Sequence, residues 1–295
     1  MGRGVKGAYI MLKYICYNWM PMIADHCLDH PESFYHTRGV TRLHSHGVFE
    51  AREIKENDIV FVKTDELVNG NFQKHFLPQI KKNFTLLSGV SSYQVEKGYS
   101  IDSIVSNPNL DRWFCTNAPV ELSNKIIPVP IGFQERERVG GQQSLIDHLY
   151  KCKADLIDKQ EKILLPYHNF ATNPKRQQLF DNLSKLSFVD ACESKLEWID
   201  YMKLLDKYKF VFCLEGSGPD VHRNYEALLV NCIPINIQNN IEPLFQLHNL
   251  PGLFLKSWDD VSSISLAQSH DFSNVKDFLT IEYHANIIGK TYERS

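Results

Sequence analysis

One polar loop carries most of the residues in this chain that could do chemistry. The stretch Lys209–Gln238 reads KFVFCLEGSGPDVHRNYEALLVNCIPINIQ, in which two apolar runs flank that loop. Glycines let a backbone approach a ligand closely, and a helix start favours a phosphate. Arg223 can contact a diphosphate in a bidentate manner, and Glu226, one turn later, can accept hydrogen bonds from two ribose hydroxyls. The loop predicts a nucleoside diphosphate site made by Gly216, Ser217, Gly218, His222, Arg223 and Glu226.

A helix start without any ligand explains the same residues. In that interpretation Asp220 is a plain N-cap and the glycines form a tight turn. Arg223 and Glu226 are then an exposed ion pair, three residues apart on one helix. Residue types alone leave the two interpretations open.

The elements around the loop alternate between strands and helices. KILLPYHNF, SFVDAC, KFVFCLEG and CIPINI are short apolar runs typical of buried strands. NPKRQQLFDNLSKL, KLEWIDYMKLLDKY and DVHRNYEALLVN have helical spacing, and Asn173 with Pro174 marks the start of the first of these helices. This order predicts a doubly wound parallel sheet, whose ligands lie beyond the carboxyl ends of the strands. The segment NVKDFLTIEYHANIIGKTYERS predicts one final helix.

The first half of the chain shows a similar alternation. AYIMLKYICY predicts a first core strand, and further strands are expected in DIVFVKTD, FTLLSGVSS, NPNLDRWFCTNAP and KIIPVPIGF, with a short helix in NFQKHFLPQIKKN. The segment ERERVGGQQS is charged and contains Gly140 and Gly141, so we place a domain boundary there. The prediction is therefore an α/β protein with two domains, 1–140 and 141–295, that face each other across a cleft.

Composition excludes several classes of function. The 295 residues are 43% hydrophobic with a net charge of -3, and Lys and Arg are spread along the chain, so there is no basic footprint for nucleic acid. The 7 Cys are odd in number and none form a C-x-x-C pair, which argues against a zinc ribbon or a disulfide scaffold. The N-terminal apolar stretch is shorter than the roughly 20 residues of a membrane span. We expect a cytoplasmic protein without a signal peptide or membrane span.

Three segments together resemble exostosin-like glycosyltransferases. FCLEGSGPDVHRNYEALLVNCIPI is similar to the family's carboxyl-terminal signature of strand, glycine-containing loop, Arg, Glu-Ala and Ile-Pro strand. LDRWFCTNAP with KIIPVPIGF is similar to the amino-terminal Trp-Phe-x-x-Asn and Pro-Ile-Gly motifs, and LLPYHNFATNPKRQQL is similar to the start of the second domain. The motifs stand in the family's order, and the chain looks most like soluble viral or bacterial members. The resemblance favours the ligand-binding interpretation of Arg223 and Glu226.

The resemblance implies a GT-B fold, with two Rossmann-like domains across a cleft and a C-terminal helix that crosses back. The first domain would bind the acceptor and the second a nucleotide-sugar, in the simplest case a UDP-sugar such as UDP-xylose. It implies an inverting transfer of the sugar to a glycan hydroxyl. The chain has no Asp-x-Asp motif, which suits a metal-independent site that needs no cofactor besides the donor. A non-catalytic nucleotide- or glycan-binding module of this fold, or another GT-B enzyme such as an epimerase, stays as an alternative.

Further donor contacts are expected from the second domain. Asn173 and Arg176 stand at a helix start, and both are candidate contacts of the nucleotide-sugar. Arg176 is a second candidate ligand of the diphosphate; a solvated helix cation is its alternative. Asp190 and Ser194 follow the next strand, where the resemblance implies contacts with the nucleobase. An ordinary turn is the competing explanation of those two residues, and residue types slightly favour it.

An inverting displacement needs a general base, which takes the proton of the acceptor hydroxyl. Asp65 in FVKTDEL ends a predicted strand and is expected at the cleft, with the adjacent Glu66 as the alternative base; a helix cap is the competing role for Asp65. Rival candidates are Asp25, Asp29, His44 and His46. Because these His and Asp residues match no standard zinc spacing, we expect no metal site.

Four residues of the first domain are candidate acceptor contacts. They lie at or just after predicted strand ends, where a cleft between two parallel sheets would open. The candidates are Ser88, Ser91, Asn117 and Phe133.

Overall fold

Two sheets of five parallel strands organise the chain. The computed structural model describes residues 12–28, 50–95, 101–119, 123–135, 138–239 and 241–290. The strands are β1 (His26–Leu28), β2 (Asp58–Lys63), β3 (Phe84–Gly89), β4 (Leu110–Cys115), β5 (Ile126–Pro128), β6 (Gln160–Leu165), β7 (Val189–Ala191), β8 (Tyr208–Phe212), β9 (Ile233–Ile237) and β10 (Leu253–Leu255). The α-helices are α1 (Trp19–Ile23), α2 (Thr64–Val68), α3 (Ile101–Val105), α4 (Gln143–Cys152), α5 (Lys175–Leu183), α6 (Trp198–Leu205), α7 (His222–Leu229), α8 (Glu242–Leu247), α9 (Val275–Phe278) and α10 (Ile281–Ile288).

The first sheet has the sequential strand order β1-β2-β3-β4-β5. Its central strand β3 is buried along its whole length. In β2, Ile59 and Phe61 pack into one hydrophobic core while Val60 and Val62 pack into another. Both faces of the sheet are therefore covered, which explains why these strands are near-continuous apolar runs in the sequence.

The second sheet has the order β10-β9-β8-β6-β7. The chain passes from β6 to β7 at one edge, then returns to place β8 on the other side of β6. The order reverses between β6 and β8, which makes the gap between their carboxyl ends the topological switch point of this sheet. The predicted alternation of strands and helices in the second half is thus confirmed, as a mixed α/β arrangement.

A single hydrophobic core joins the two sheets. It contains Phe61 and Phe114 of the first sheet, Val211 of the second, and Trp19 and Phe278 from the ends of the chain. Because apolar burial is the dominant favourable term in folding, this common core ties the two halves together.

Residues 13–15 and residues 279–281 meet on that core. The Ile15 N–H donates to the Leu279 carbonyl at 2.9 Å, and the Ile281 N–H donates to the Lys13 carbonyl at 3.0 Å. Helix α10 also reaches the first sheet, where Arg112 Nη1 of β4 donates to the Ile287 carbonyl at 3.2 Å. The last helix, which belongs to the second half of the chain, therefore contacts the first half. Within the described ranges, no helix is long and apolar enough to cross a membrane.

Three predicted elements differ from the structure. The strand expected in AYIMLKYICY is wrong over its described part, because Tyr14 and Cys16 form only isolated bridges, to Thr280 and Phe133. The helix expected in NFQKHFLPQIKKN is a π-helical turn, Phe72–Phe76, followed by a 3₁₀ turn with a proline in its first positions. The single final helix is split into α9 and α10, because the Thr280 side chain accepts a hydrogen bond from the Tyr283 N–H and caps α10.

Two buried histidines lie beside α9 and α10. His284 Nε2 contacts the Phe278 carbonyl at 2.7 Å, and His248 Nδ1 contacts the Tyr283 hydroxyl at 2.9 Å. Burial lowers the pKa of His248 to about 4, and burial together with the charge of His248 lowers the pKa of His284 to about 3. In the folded protein both rings therefore stay neutral well below the pH at which the unfolded chain protonates its histidines.

We predict that acid destabilises the protein through these two rings. A lowered folded-state pKa gives stability that is complete above about pH 6.5 and is lost as the pH falls, by about 2 kcal/mol per histidine at pH 5. Urea unfolding of wild type and His284→Gln at pH 7.5 and pH 5 measures this loss. Between pH 7.5 and pH 5, His284→Gln should lose less stability than wild type. The control His75→Gln, at an exposed position, should lose as much stability as wild type. An equal loss in wild type and His284→Gln would contradict the prediction.

Candidate functional site

A crevice of about 420 Å³ opens between the two halves. The loops after β3, β4 and β5 form one wall, and the loops after β6 and β8 with the start of α7 form the other, so both sheets present their carboxyl ends to it. The crevice lies at the switch point of the second sheet, which is where open α/β sheets bind ligands. Its lining residues are Tyr17, Ser91, Ser92, Asn117, Ile131, Gln134, Glu135, Thr172, Arg176, Gly216, Ser217, Gly218, Asp220, Val221, His222, Arg223 and Glu226.

Arg176 is buried between the two loops of the switch point. Its Nε donates to the Glu215 carbonyl at 2.8 Å, and its Nη2 donates to the Leu214 carbonyl at 2.9 Å. Its Nη1 donates to the Thr172 hydroxyl at 2.8 Å. Burial, together with the charge of Arg223, lowers the pKa of Arg176 to about 10, so the guanidinium is still charged at neutral pH.

Arg223 stands in the first turn of α7, beside Arg176 on the crevice wall. Its Nη1 lies 2.5 Å from His168 Nε2, and its Nη2 donates to the Tyr167 carbonyl at 3.2 Å. Its Nε donates to the Tyr201 hydroxyl at 3.2 Å. An arginine can only donate, so His168 accepts through Nε2 and is neutral.

Among the described residues, neither arginine makes a salt bridge with a carboxylate, although Glu226 lies close enough to Arg223 to favour its charged form. In the described part of the chain, their hydrogen-bond partners are carbonyls, hydroxyls and one neutral imidazole, and neither makes a salt bridge. Two positive charges that repel each other therefore line the same crevice. Such charges are normally paired when they are taken out of water, so the chemistry of this wall is suited to an anion.

Glu226 is a buried hydrogen-bond acceptor on the same wall. It is 5% exposed, and its Oε1 accepts a hydrogen bond from Trp198 Nε1 at 2.8 Å. The alternative that Arg223 and Glu226 form an exposed ion pair is therefore wrong.

Asp220 connects the two halves beside the crevice. Its Oδ2 accepts from the Ile131 N–H at 3.0 Å and from the Tyr225 hydroxyl, and its Oδ1 accepts from Asn224 Nδ2 at 3.2 Å. Its own N–H donates to Asn117 Oδ1 at 3.2 Å. Helix α7 begins at His222 with Val221 as its N-cap, so the alternative that Asp220 is a plain N-cap is wrong.

The predicted glycine loop meets the opposite half at Gly218. A Cβ atom at this position would lie 2.9 Å from the Ser92 carbonyl oxygen and 3.2 Å from Asn117 Nδ2. The glycine is thus required for close packing between the halves. Gly216 instead packs beside Arg176, where a Cβ atom would lie 3.3 Å from Nη2.

Several other predicted donor residues lie outside the lining of the crevice. Asn173 Nδ2 donates to the Glu215 and Gly216 carbonyls, both at 3.3 Å, and so stabilises the backbone of the loop after β8. Asp190 is held within the sheet by Lys162 at 2.7 Å and by the Tyr208 hydroxyl at 3.0 Å. Ser194 is exposed on the loop after β7. Their contacts with a nucleotide stay predictions.

The predicted bases also lie outside the crevice lining. Asp65 is in the first turn of α2, with its carboxylate 3.9 Å from Lys63 Nζ. Glu66 is buried and accepts a hydrogen bond from Asn71. The rival Asp25 accepts from the Ile59 N–H at 3.0 Å. Asp29, His44 and His46 fall outside the described residues.

Two of the four predicted acceptor contacts line the crevice, and the other two are buried in the protein interior. Ser91 and Asn117 line the crevice. Ser88 is fully buried, and its hydroxyl accepts a hydrogen bond from Trp113 Nε1 at 2.8 Å. Phe133 is fully buried as well, so it belongs to the core.

Sequence reasoning missed several residues that shape the site, and four of them contact or orient its key side chains. His168 could have been found, because PYHNF places it directly after a strand at the carboxyl edge of the sheet. The other three come from α6 and from the N-terminal segment, and no local pattern marks them. These four residues are Tyr17, His168, Trp198 and Tyr201.

The residues described here include no group of three or more His, Cys, Asp or Glu side chains that could hold a metal ion. A scan of the chain against models of protein families finds no match, and a search of curated proteins finds none either. The site must therefore be interpreted from its own chemistry.

We predict that the buried Asp220 makes the junction between the halves sensitive to pH. Burial raises the pKa of Asp220 to about 6, although its hydrogen bonds oppose this. A raised folded-state pKa gives stability that is present at about pH 4 and is lost as the pH rises to about 6, by up to about 3 kcal/mol. In urea unfolding between pH 4 and pH 6, the free energy of unfolding should fall more in wild type than in Asp220→Asn. The exposed-site control Asp200→Asn should track wild type, and a pH-independent difference between Asp220→Asn and wild type would contradict the prediction.

Proposed function

We propose that this protein is an inverting glycosyltransferase of GT-B architecture, related to the exostosin-like family, and that the crevice binds a nucleotide-sugar. The observation that carries the proposal is the pair of arginines, Arg176 and Arg223, which face the crevice without carboxylate partners at a topological switch point. The resemblance of three sequence segments to the family gives independent support. Both lines of argument involve the same loop after β8.

In this proposal the two guanidinium groups hold the diphosphate of the donor. Their charge stabilises the diphosphate as it departs, because fixed positive groups in a partly enclosed site act strongly where negative charge develops. They take the role that a divalent ion has in many other sugar transferases. Gly216 lets the backbone of the loop lie close to the phosphates.

The remaining parts of the donor and the acceptor have candidate positions. The Glu226 carboxylate lines the crevice beyond Arg223 and is suited to accept hydrogen bonds from ribose hydroxyls. Ser91 and Asn117 of the opposite wall are suited to an acceptor sugar. The crevice volume of about 420 Å³ lies within the range of about 300–1,000 Å³ that is usual for small-molecule sites.

Two measurements on the wild-type protein test the proposal. Calorimetric titration with UDP should give saturable binding, and incubation with UDP-xylose, UDP-glucose and UDP-galactose should release UDP from at least one of them. Addition of EDTA should leave the release unchanged if the arginines alone neutralise the diphosphate. Binding without any hydrolysis or transfer across a broad donor and acceptor panel would identify a non-catalytic module instead.

We predict that Arg223→Ala lowers turnover by at least about 100-fold, the scale expected when a key stabiliser of developing charge is removed. Arg223→Lys should recover only part of the loss, because an ammonium cannot make the bidentate contact. UDP release and UDP affinity are measured side by side. Lys175→Ala removes an exposed cation one residue from Arg176 and serves as the control, with near wild-type turnover expected. Near-normal turnover in folded Arg223→Ala would refute the role of this arginine.

A further inference from the structure

We propose that His222 is the general base of this site, and that its Nε2 takes the proton from the attacking hydroxyl. The inference rests on the proposed function, because it assigns a step within the same transfer. It differs from the sequence-based expectation, which placed the base at Asp65 or Glu66.

The position and tautomer of His222 are suited to this role. The residue is the first of α7, and its side chain lines the crevice next to Arg223. Its Nδ1 lies 2.8 Å from the Gly132 carbonyl oxygen, and a carbonyl can only accept, so Nδ1 carries the proton. In the neutral ring the lone pair is then on Nε2. Nε2 has no hydrogen-bond partner among the residues that the structure describes.

The surroundings hold the ring in this orientation before any ligand binds. Gly132 has a φ of +76°, and a Cβ atom there would lie 2.8 Å from the backbone of Ile15, so the turn that presents its carbonyl is tightly packed. The next residue, Phe133, exchanges backbone hydrogen bonds with Ile15 and Tyr17 at 2.8–3.1 Å. The Tyr17 ring contacts the His222 ring edge-on, with centroids 5.8 Å apart.

Each carboxylate that lines the crevice already has a partner in the protein, and the proposed function assigns the remaining acceptor capacity of Glu226 to the ribose. Asp220 accepts three hydrogen bonds, and Glu226 accepts one from Trp198. Glu135 forms an ion pair with Arg138 at 3.0 Å. His222 is therefore the lining side chain in the described part of the chain that combines a fixed tautomer with an unengaged proton acceptor.

The proposed step balances as follows. The hydroxyl oxygen of the acceptor donates an electron pair to the anomeric carbon, and the bond from that carbon to the diphosphate oxygen breaks. The bonding pair leaves with the diphosphate, whose charge is stabilised by Arg176 and Arg223. The hydroxyl proton moves to His222 Nε2, and the imidazolium returns it to solvent after the product leaves. In donor hydrolysis, water takes the place of the acceptor.

Two variants at this position test the proposal with UDP-glucose, UDP-galactose and UDP-xylose as probes. His222→Gln and His222→Ala should lower kcat for UDP release by about 10²–10⁴-fold, the usual contribution of general acid–base catalysis. UDP affinity, measured by calorimetry, should stay close to wild type. Added imidazole should restore part of the activity of His222→Ala, because it supplies the missing base in solution. The control is His75→Gln at an exposed position, which should behave as wild type.

The outcomes separate this inference from the function on which it rests. Normal kcat in folded His222 variants, or loss of activity that follows loss of UDP affinity without rescue by imidazole, would overturn the role of His222 alone. If Asp65→Asn loses activity while the His222 variants keep normal kcat, Asp65 and not His222 is the general base. A wild-type protein that neither binds UDP nor releases it from any donor would overturn the proposed function first, and this inference with it.

Discussion

The hydrogen bonds of one buried aspartate set the geometry on which the site depends. Asp220 accepts from the Ile131 N–H of the first half and from the Tyr225 hydroxyl of α7, and its own N–H donates to Asn117. These bonds fix the start of α7 against the opposite wall. His222 and Arg223 follow Asp220 within three residues, so their positions in the crevice depend on this junction. A buried carboxylate is costly unless it is hydrogen-bonded, and here one of the three bonds that satisfy it, from the Ile131 N–H, crosses between the halves.

The two arginines add a second constraint, which concerns charge. Arg176 and Arg223 are oriented by carbonyls, hydroxyls and an imidazole, and these partners fix their geometry without cancelling their charge. Removing such groups from water carries a penalty that pairing with a carboxylate normally offsets. Arg176 and Arg223 carry this penalty at the crevice wall. In the function that we propose, the diphosphate between the guanidinium groups offsets part of this penalty.

The sequence predicted the second sheet well, because its parallel strands are buried on both faces and appear as apolar runs between amphipathic helices. It also predicted which residues of the loop after β8 line the crevice, since those residues lie next to one another in the chain. It failed where contacts join distant segments. Tyr17 and Trp198 reach the site through packing, and Ser88 satisfies an indole inside the core. The N-terminal segment looked like a strand, yet its bridges go to residues 133 and 280.

The contact between Arg223 and His168 shows how the site keeps its charge. A carboxylate at residue 168 would hold the guanidinium equally well and would neutralise it. Burial and the two nearby arginines lower the pKa of His168, so the imidazole stays neutral and accepts through Nε2. It orients Arg223 and leaves the positive charge available to the crevice. His222 is also a crevice histidine with a defined tautomer, but its protonated nitrogen is tied to a carbonyl and its free nitrogen is left open. In our proposal, one histidine thus orients an arginine and the other takes a proton. The difference depends on which ring nitrogen hydrogen-bonds to the neighbouring residue.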